Sequence, residues 1–96
     1  VTWSGYRNCP FFPNKMADEY RTVNETGWYS GMYRIMVATA CNAVKEGYPI
    51  TASQIGSMCR ELDAETGNWY ENRPLDREAG GALSWAYANA YKGDFQ

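Results

Sequence analysis

Histidine is absent from this chain of 96 residues, and with it the side chain that most often serves as a general base or zinc ligand. Only three cysteines are present, Cys9, Cys41 and Cys59, and no two of them have the close spacing of a metal-binding pair. These absences exclude a Cys/His zinc site and argue against a site built from three thiolates. Buried free thiols in a reducing compartment are the simpler interpretation.

The sequence motifs of enzyme active sites are also missing. The chain has no G-x-x-x-x-G-K phosphate loop, no G-x-S-x-G nucleophile elbow and no closely spaced pair of aspartates for a two-metal site. Glu61 and Asp63 are two positions apart, so on a helix they diverge by about half a turn, and we interpret them as solvated charges near a helix end. The sequence therefore predicts a domain that is not an enzyme by itself.

A large net charge and long apolar runs are lacking as well. The formal net charge is −2, whereas a protein that binds any polyanion through its phosphates normally carries a basic excess. No apolar run approaches the ~20 residues that a membrane span requires, and no signal peptide is visible. We therefore expect a cytoplasmic domain without membrane contact. The chain begins at Val1 and not at methionine, so we expect it to be a piece of a longer protein.

What the chain does contain is helical periodicity. Apolar residues recur at spacings of three and four within residues 32–44, 55–62 and 75–90, which predicts three amphipathic helices. A shorter helix is predicted from residue 15 to about residue 22, with Asn14 as its N-cap.

The break between the first two long helices carries the clearest local signal. Gly47 can adopt the left-handed conformation that ends a helix, and Pro49 cannot continue one. Thr51 and Gln54 are spaced as a capping box for the next helix. Two helices joined by so short a turn are expected to pack against each other.

These elements predict an all-α fold with a single domain over residues 1–96. Residues 1–13, rich in aromatic residues and proline, are expected to form an extended lead-in arm, and residues 14–96 a small bundle of about four helices. Gly80 and Gly81 interrupt the last helix at a cost of roughly 1 kcal/mol each relative to alanine. Such a pair indicates the close approach of another backbone or of a ligand, and we favour helix packing.

Two groups of aromatic and basic residues have the composition of a surface that binds single-stranded nucleic acid. The first group is Trp28, Tyr29, Tyr33 and Arg34, and the second is Trp69, Tyr70, Arg73 and Arg77. In such complexes bases stack on rings while arginines pair with phosphates. The alternative is that the rings are core anchors and the arginines pair with neighbouring carboxylates.

Several segments together resemble a known family. They are YSGMYRIMVATACNAVKEGY at residues 29–48, PIT at 49–51, RELD at 60–63, WYENRPL at 69–75, and Glu78 with Ala79. In this respect the chain is similar to the helix-bundle domain, of the primase C-terminal type, that follows the catalytic domain in phage and plasmid bifunctional primase-polymerases. Residues 8–20 resemble the lead-in to that domain.

The resemblance implies an accessory role inside a larger DNA primase-polymerase, a nucleotidyltransferase of DNA replication. Such a domain recognises the single-stranded DNA template and helps to hold a nucleotide, ATP or a dNTP with Mg²⁺, together with the catalytic domain in cis. We expect the contacts to be made by six members of the two groups defined above: Tyr29, Tyr33, Arg34, Trp69, Arg73 and Arg77. Weak binding is expected from the domain alone, because tethering to the catalytic domain raises the effective concentration.

A competing hypothesis is a protein–protein docking bundle, for helicase loading or subunit bridging, without nucleic-acid contact. Arginines that converge on one face beside the rings favour nucleic acid. Arginines that scatter, or that form ion pairs beneath an exposed apolar patch, favour docking.

Overall fold

The structure is a computed structural model that describes residues 5–22, 28–66 and 75–89. Its helices are α1 (Asn14–Thr22), α2 (Trp28–Lys45), α3 (Ala52–Thr66) and α4 (Asp76–Asn89), preceded by a 3-10 turn at Tyr6–Asn8. No strand occurs in these ranges, and the prediction of a small all-α bundle is confirmed. None of the helices described is both long and apolar enough to cross a membrane.

The break after α2 has the predicted geometry. Gly47 adopts a φ of 74°, in the left-handed region that glycine occupies at little cost. The Gly47 amide donates to the Val44 carbonyl at 3.0 Å, and the Tyr48 amide donates to the Ala43 carbonyl at 2.9 Å. These two bonds form a Schellman motif, which satisfies the last carbonyls of the helix and turns the chain back.

The capping box at the start of α3 is also confirmed. The Gln54 amide donates to Thr51 Oγ1 at 3.2 Å, and the Thr51 amide donates to Gln54 Oε1 at 2.9 Å. Ile50 and Ile55 on either side of the cap are both buried. The chain therefore re-enters a helix immediately after the turn, and α3 packs against α2.

One hydrophobic core lies between the helices, and the most extensive helix–helix contact in the described ranges joins α2 to α4. The buried residues are Met32, Ile35, Met36, Ala40, Cys41 and Ala43 of α2, Ile55, Met58, Cys59 and Leu62 of α3, Leu75 directly before α4, and Ala79, Ala82 and Ala86 of α4. The alanines of α2 and α4 allow the two helix axes to approach closely. The 3, 4 spacing seen in the sequence is thus the spacing of the core.

The N-terminal segment contributes side chains to this core. The rings of Tyr6 and Phe12 are buried with their centroids 4.8 Å apart. Tyr6 is also tied to α3, because its hydroxyl donates to Glu65 Oε1 at 2.6 Å and its amide donates to Glu61 Oε2 at 3.2 Å. These contacts hold the Tyr6–Asn8 turn on the C-terminal half of α3.

The interpretation of Asp63 as a solvated charge is wrong. Its side chain is fully buried, and the Tyr20 hydroxyl of α1 donates to Asp63 Oδ1 at 2.7 Å. Burial and, secondarily, the nearby Asp63 carboxylate raise the pKa of Cys59. Glu61 is exposed, as expected. The two carboxylates differ because one side of α3 is covered by segments that lie far away in the sequence.

Close approach of helices occurs at a different glycine from the pair that the sequence suggested. A Cβ placed on Gly56 of α3 would lie 2.7 Å from Asp76 Oδ1 and 3.5 Å from backbone atoms of Leu75 and Asp76. At Gly80 no described atom lies within 4 Å of such a Cβ, and at Gly81 the nearest is the Tyr33 hydroxyl at 3.4 Å. Of these three helical glycines, Gly56 is therefore the one at a close helix contact, where a Cβ would displace the Asp76 carboxylate, whereas Gly80 and Gly81 have room for one.

Candidate nucleic-acid interface

The predicted contact residues divide into those that the structure describes and those that it does not. Tyr33 and Arg34 lie in the N-terminal half of α2, and Arg77 lies in the first turn of α4. Tyr29 belongs to the first turn of α2, but its side chain lies outside the described part of the structure. Trp69 and Arg73 fall in residues 67–74, also outside the described ranges. Their predicted roles stay predictions.

Tyr33 connects the first group to α4. Its ring is half-buried, and its hydroxyl lies 3.4 Å from the position of a Cβ on Gly81. Arg77 precedes Gly81 by one helical turn, which corresponds to roughly 6 Å along the axis and 40° around it. The packing of α2 on α4 therefore brings the Tyr33 hydroxyl to α4 one helical turn away from Arg77.

The two described arginines of the predicted set have their charge in solvent. Arg34 and Arg77 are both exposed, and no ion pair joins either of them to another described residue. Arg7, by contrast, forms an ion pair with Glu65 at 2.7 Å. For Arg34 and Arg77, pairing with described carboxylates is not the explanation, and both side chains are accessible to solvent.

Sequence reasoning did not include Trp85 among the candidate contact residues. Trp85 is 44% exposed, and Tyr87 on the same helix is 63% exposed. Trp85 follows Gly81 by one turn, so it lies on the same side of α4 as Gly81. The signal that was available is its position outside the alanine stripe at residues 79, 82 and 86.

Acidic residues border this surface. Asp76 lies on the side of α4 that meets α3, because its Oδ1 is the atom nearest to the Cβ position of Gly56. Glu78 is half-buried, about 100° around the helix from Arg77. Among the described residues of α4, Arg77 is therefore flanked by carboxylates, in agreement with a local contact and not with a broad basic surface.

A cavity of about 570 Å³ lies at the C-terminal end of α2. Its lining includes Phe11, Lys45, Glu46 and Tyr48, and the rings of Phe11 and Tyr48 are 5.3 Å apart. The carbonyl end of a helix and the Glu46 carboxylate both disfavour an anion there. We therefore assign no phosphate or nucleotide to this cavity.

The cysteines do not form a reactive site. Cys9, Cys41 and Cys59 are free thiols and all are buried. Burial raises the pKa of each thiol, and a neutral thiol is a poor nucleophile and metal ligand. Among the described residues no group of three or more Cys, Asp or Glu side chains has the arrangement of a metal site.

The arrangement can bind a ligand that has both a flat apolar part and a negative charge. Tyr33 and Trp85 offer rings, and Arg34 and Arg77 offer exposed guanidinium groups. Of these, Tyr33 is the residue of α2 whose hydroxyl lies beside Gly81 of α4, and Arg34 lies about 100° around α2 from it. Comparisons of the chain with protein-family models, with curated proteins and with solved structures found no match.

Proposed function

We propose that this bundle is a non-catalytic accessory domain of a DNA primase-polymerase of phage or plasmid replication. In this role it recognises the single-stranded DNA template and assists nucleotide binding for primer initiation. The observation that carries the proposal is the position of the Tyr33 hydroxyl beside Gly81. This position brings Tyr33, one of the predicted contact residues of α2, to the helix that bears Arg77.

The chemistry of these residues suits a single strand better than a duplex. In a single strand the bases are available to stack on protein rings, and a stacked base contributes about 1–3 kcal/mol regardless of its identity. Arg34 and Arg77 then pair with phosphates, which adds a contribution that depends on salt. The small number of cations agrees with weak binding that becomes effective when the catalytic domain is tethered.

The nucleotide, ATP or a dNTP with its Mg²⁺, is expected to be shared with the catalytic domain. On this domain the exposed guanidinium groups would contact its phosphates, and the rings its base. The ligands of the Mg²⁺ would come from the nucleotide and from the catalytic domain in cis. This part of the proposal rests on the family resemblance.

Fluorescence anisotropy with a labelled single-stranded DNA tests the proposal. The chain, an Arg34→Ala/Arg77→Ala double variant and an Arg7→Ala control are titrated at several salt concentrations, with and without ATP and Mg²⁺. We expect the double variant to bind more weakly and to lose about 0.7 per arginine from the slope of log K against log salt. Arg7→Ala removes a similar charge from the Arg7–Glu65 pair and should bind like the unaltered chain.

Two results would contradict template recognition. One is the absence of binding at low salt with or without nucleotide. The other is an equal loss of affinity in the double variant and in Arg7→Ala, since that would indicate only a general effect of charge.

Exposed Trp85 and Tyr87 favour a second candidate, a docking bundle that binds another protein through α4. Aromatic residues are enriched in the cores of protein–protein interfaces. This candidate predicts that single-stranded DNA does not bind and that a second subunit of the replication machinery does. The titration above therefore separates the two functions.

A further inference from the structure

We propose that Gly81 and Trp85 form a subsite that receives one unpaired base of the bound strand. The inference rests on the function proposed above and names the part of the surface that accepts the base. Neither residue belongs to the two aromatic–basic groups seen in the sequence. The structure brings them to attention through the position of Tyr33 and the exposure of Trp85.

The geometry of α4 places a gap between a cation and a ring. Arg77, Gly81 and Trp85 succeed each other at intervals of one turn, so that Arg77 and Trp85 are separated by about 12 Å along the helix axis and about 80° around it. Gly81 lies midway and has no side chain. The helix surface is therefore open between the guanidinium of Arg77 and the indole of Trp85, and the Tyr33 hydroxyl borders the opening.

Contacts with described residues do not explain why residue 81 is glycine. A glycine in a helix interior is less favourable than alanine. The only described atom within 4 Å of a Cβ at Gly81 is the Tyr33 hydroxyl, at 3.4 Å, a distance that an alanine methyl tolerates with little adjustment. The backbone conformation is an ordinary helical one, unlike that of Gly47. An open surface that must accept a flat ligand accounts for the missing side chain.

Trp85 supplies the stacking partner. Its side chain is 44% exposed although it is the largest apolar residue of α4. An indole presents a broad π surface to a nucleobase, and such stacking accepts any base. Bases in a duplex are stacked on each other and are not free to enter a side gap. The subsite therefore selects a single strand without selecting its sequence.

The charges on α4 orient the nucleotide within the gap. Glu78 lies two turns before Trp85 and within about 20° of it around the helix, half-buried on the same flank. Its carboxylate disfavours a phosphate on that flank, whereas Arg77 attracts one on the outward side of the helix. The strand is thus expected to follow Arg77 with its backbone and to turn a neutral base toward Trp85.

Trp85→Leu is the first test, with Tyr87→Leu as the matched control. Tyr87 is the more exposed ring at 63%, and it lies about 200° around α4 from Trp85. We expect Trp85→Leu to weaken binding of a labelled single-stranded DNA by about tenfold or more, the value of one stacked base, and Tyr87→Leu to bind like the unaltered chain. Trp85→Phe keeps a ring and should restore most of the affinity. Circular dichroism melting confirms that each variant is folded.

Gly81→Leu tests the gap independently of Trp85. Leucine fills the opening, so single-stranded binding should fall, although leucine is a better helix former than glycine. Gly80→Leu is its control, because it makes the same exchange one position away, where no described atom approaches within 4 Å. If Trp85→Leu does not fold, the affinities of Gly81→Leu and Trp85→Phe for single-stranded DNA still test whether the subsite exists.

The outcomes separate this inference from the function on which it rests. If the unaltered chain does not bind single-stranded DNA at low salt, both are overturned. If it binds, and the Arg34→Ala/Arg77→Ala variant is weakened while Trp85→Leu and Gly81→Leu are not, the base subsite alone is overturned. Equal losses in Trp85→Leu and Tyr87→Leu would also overturn it, because they would indicate a non-specific apolar surface.

Discussion

Replacement of Tyr20 by phenylalanine tests how the buried carboxylate of Asp63 is held. Asp63 is fully buried, and it accepts a hydrogen bond of 2.7 Å from the Tyr20 hydroxyl. The replacement removes that donor and almost no volume. A hydrogen bond to a charged group contributes about 1.5–3 kcal/mol, so we expect the free energy of unfolding to fall by about that amount.

The assay is urea unfolding and thermal melting followed by circular dichroism at neutral pH. In a domain of this size each kcal/mol shifts the Tm by about 4–8 °C, so the Tm of Tyr20→Phe should fall by roughly 6–24 °C. Tyr87→Phe is the control, because it removes the hydroxyl of a ring that is 63% exposed. Its free energy of unfolding should change by less than about 0.5 kcal/mol.

A double-mutant cycle with Asp63→Asn isolates the charge in this interaction. Asparagine keeps the shape and an acceptor oxygen but removes the charge, so Tyr20→Phe should cost about 1 kcal/mol less in the Asp63→Asn background. A sum of single effects that equals the double effect within about 0.5 kcal/mol would refute the reasoning. So would a Tyr20→Phe variant as stable as Tyr87→Phe.

Three further predictions concern stability. Thr51→Ala should lower the free energy of unfolding by about 1 kcal/mol, since Thr51 Oγ1 caps α3. Ser53→Ala is the control and should not lower it. Equal effects of the two variants in urea titrations would contradict the capping box. Gly47→Ala should lower the free energy of unfolding by about 1–2 kcal/mol because Gly47 has a φ of 74°, whereas Gly80→Ala should raise it by roughly 0.5–1 kcal/mol. Urea titrations of the two variants test this, and changes of the same sign would contradict it. Burial raises the pKa of Cys59 above its ordinary 9.0, so the thiol stays protonated in the folded state and ionises on unfolding. The contribution of this thiol to the free energy of unfolding is complete below the pKa of the unfolded chain and is lost as pH rises through the folded pKa. Urea titrations above about pH 9 should therefore show a free energy of unfolding that falls by up to about 1.4 kcal/mol per pH unit. Cys59→Ala should reduce that slope.

The features of the fold that could be predicted are those determined by residues a few positions apart. The end of α2 at Gly47 and the cap of α3 at Thr51 and Gln54 involve hydrogen bonds between residues at most five positions apart. The buried faces of α2 and α3 follow from helical spacing alone. Such features depend on backbone geometry and side-chain type, and both are available in the sequence.

The features that could not be predicted depend on contacts between distant segments. Asp63 is buried because Tyr20, 43 positions earlier, reaches it. Gly56 is the glycine of close approach because the start of α4 packs against α3, whereas Gly80 and Gly81 have the more conspicuous sequence pattern. Spacing along one helix carries no information about which element covers it, and the solvated interpretation of Asp63 was wrong for that reason.

The candidate interface shows the same division. The sequence identified Tyr33, Arg34 and Arg77 by their chemistry, but it offered no reason to group Arg77 with residues in α2. The 3.4 Å approach of the Tyr33 hydroxyl to the Cβ position of Gly81 provides that reason. Trp85 enters the candidate site only because the structure leaves it 44% exposed beside that contact.

The sequence by itself determined that this protein is a helical bundle, because helical periodicity, a left-handed glycine and a capping box are properties of neighbouring residues. The tertiary structure decided which polar groups are buried, which glycine lies at a helix contact, and which ring of α2 lies beside α4. These are consequences of how α2, α3 and α4 pack, since packing sets the distances between residues that the chain itself keeps far apart.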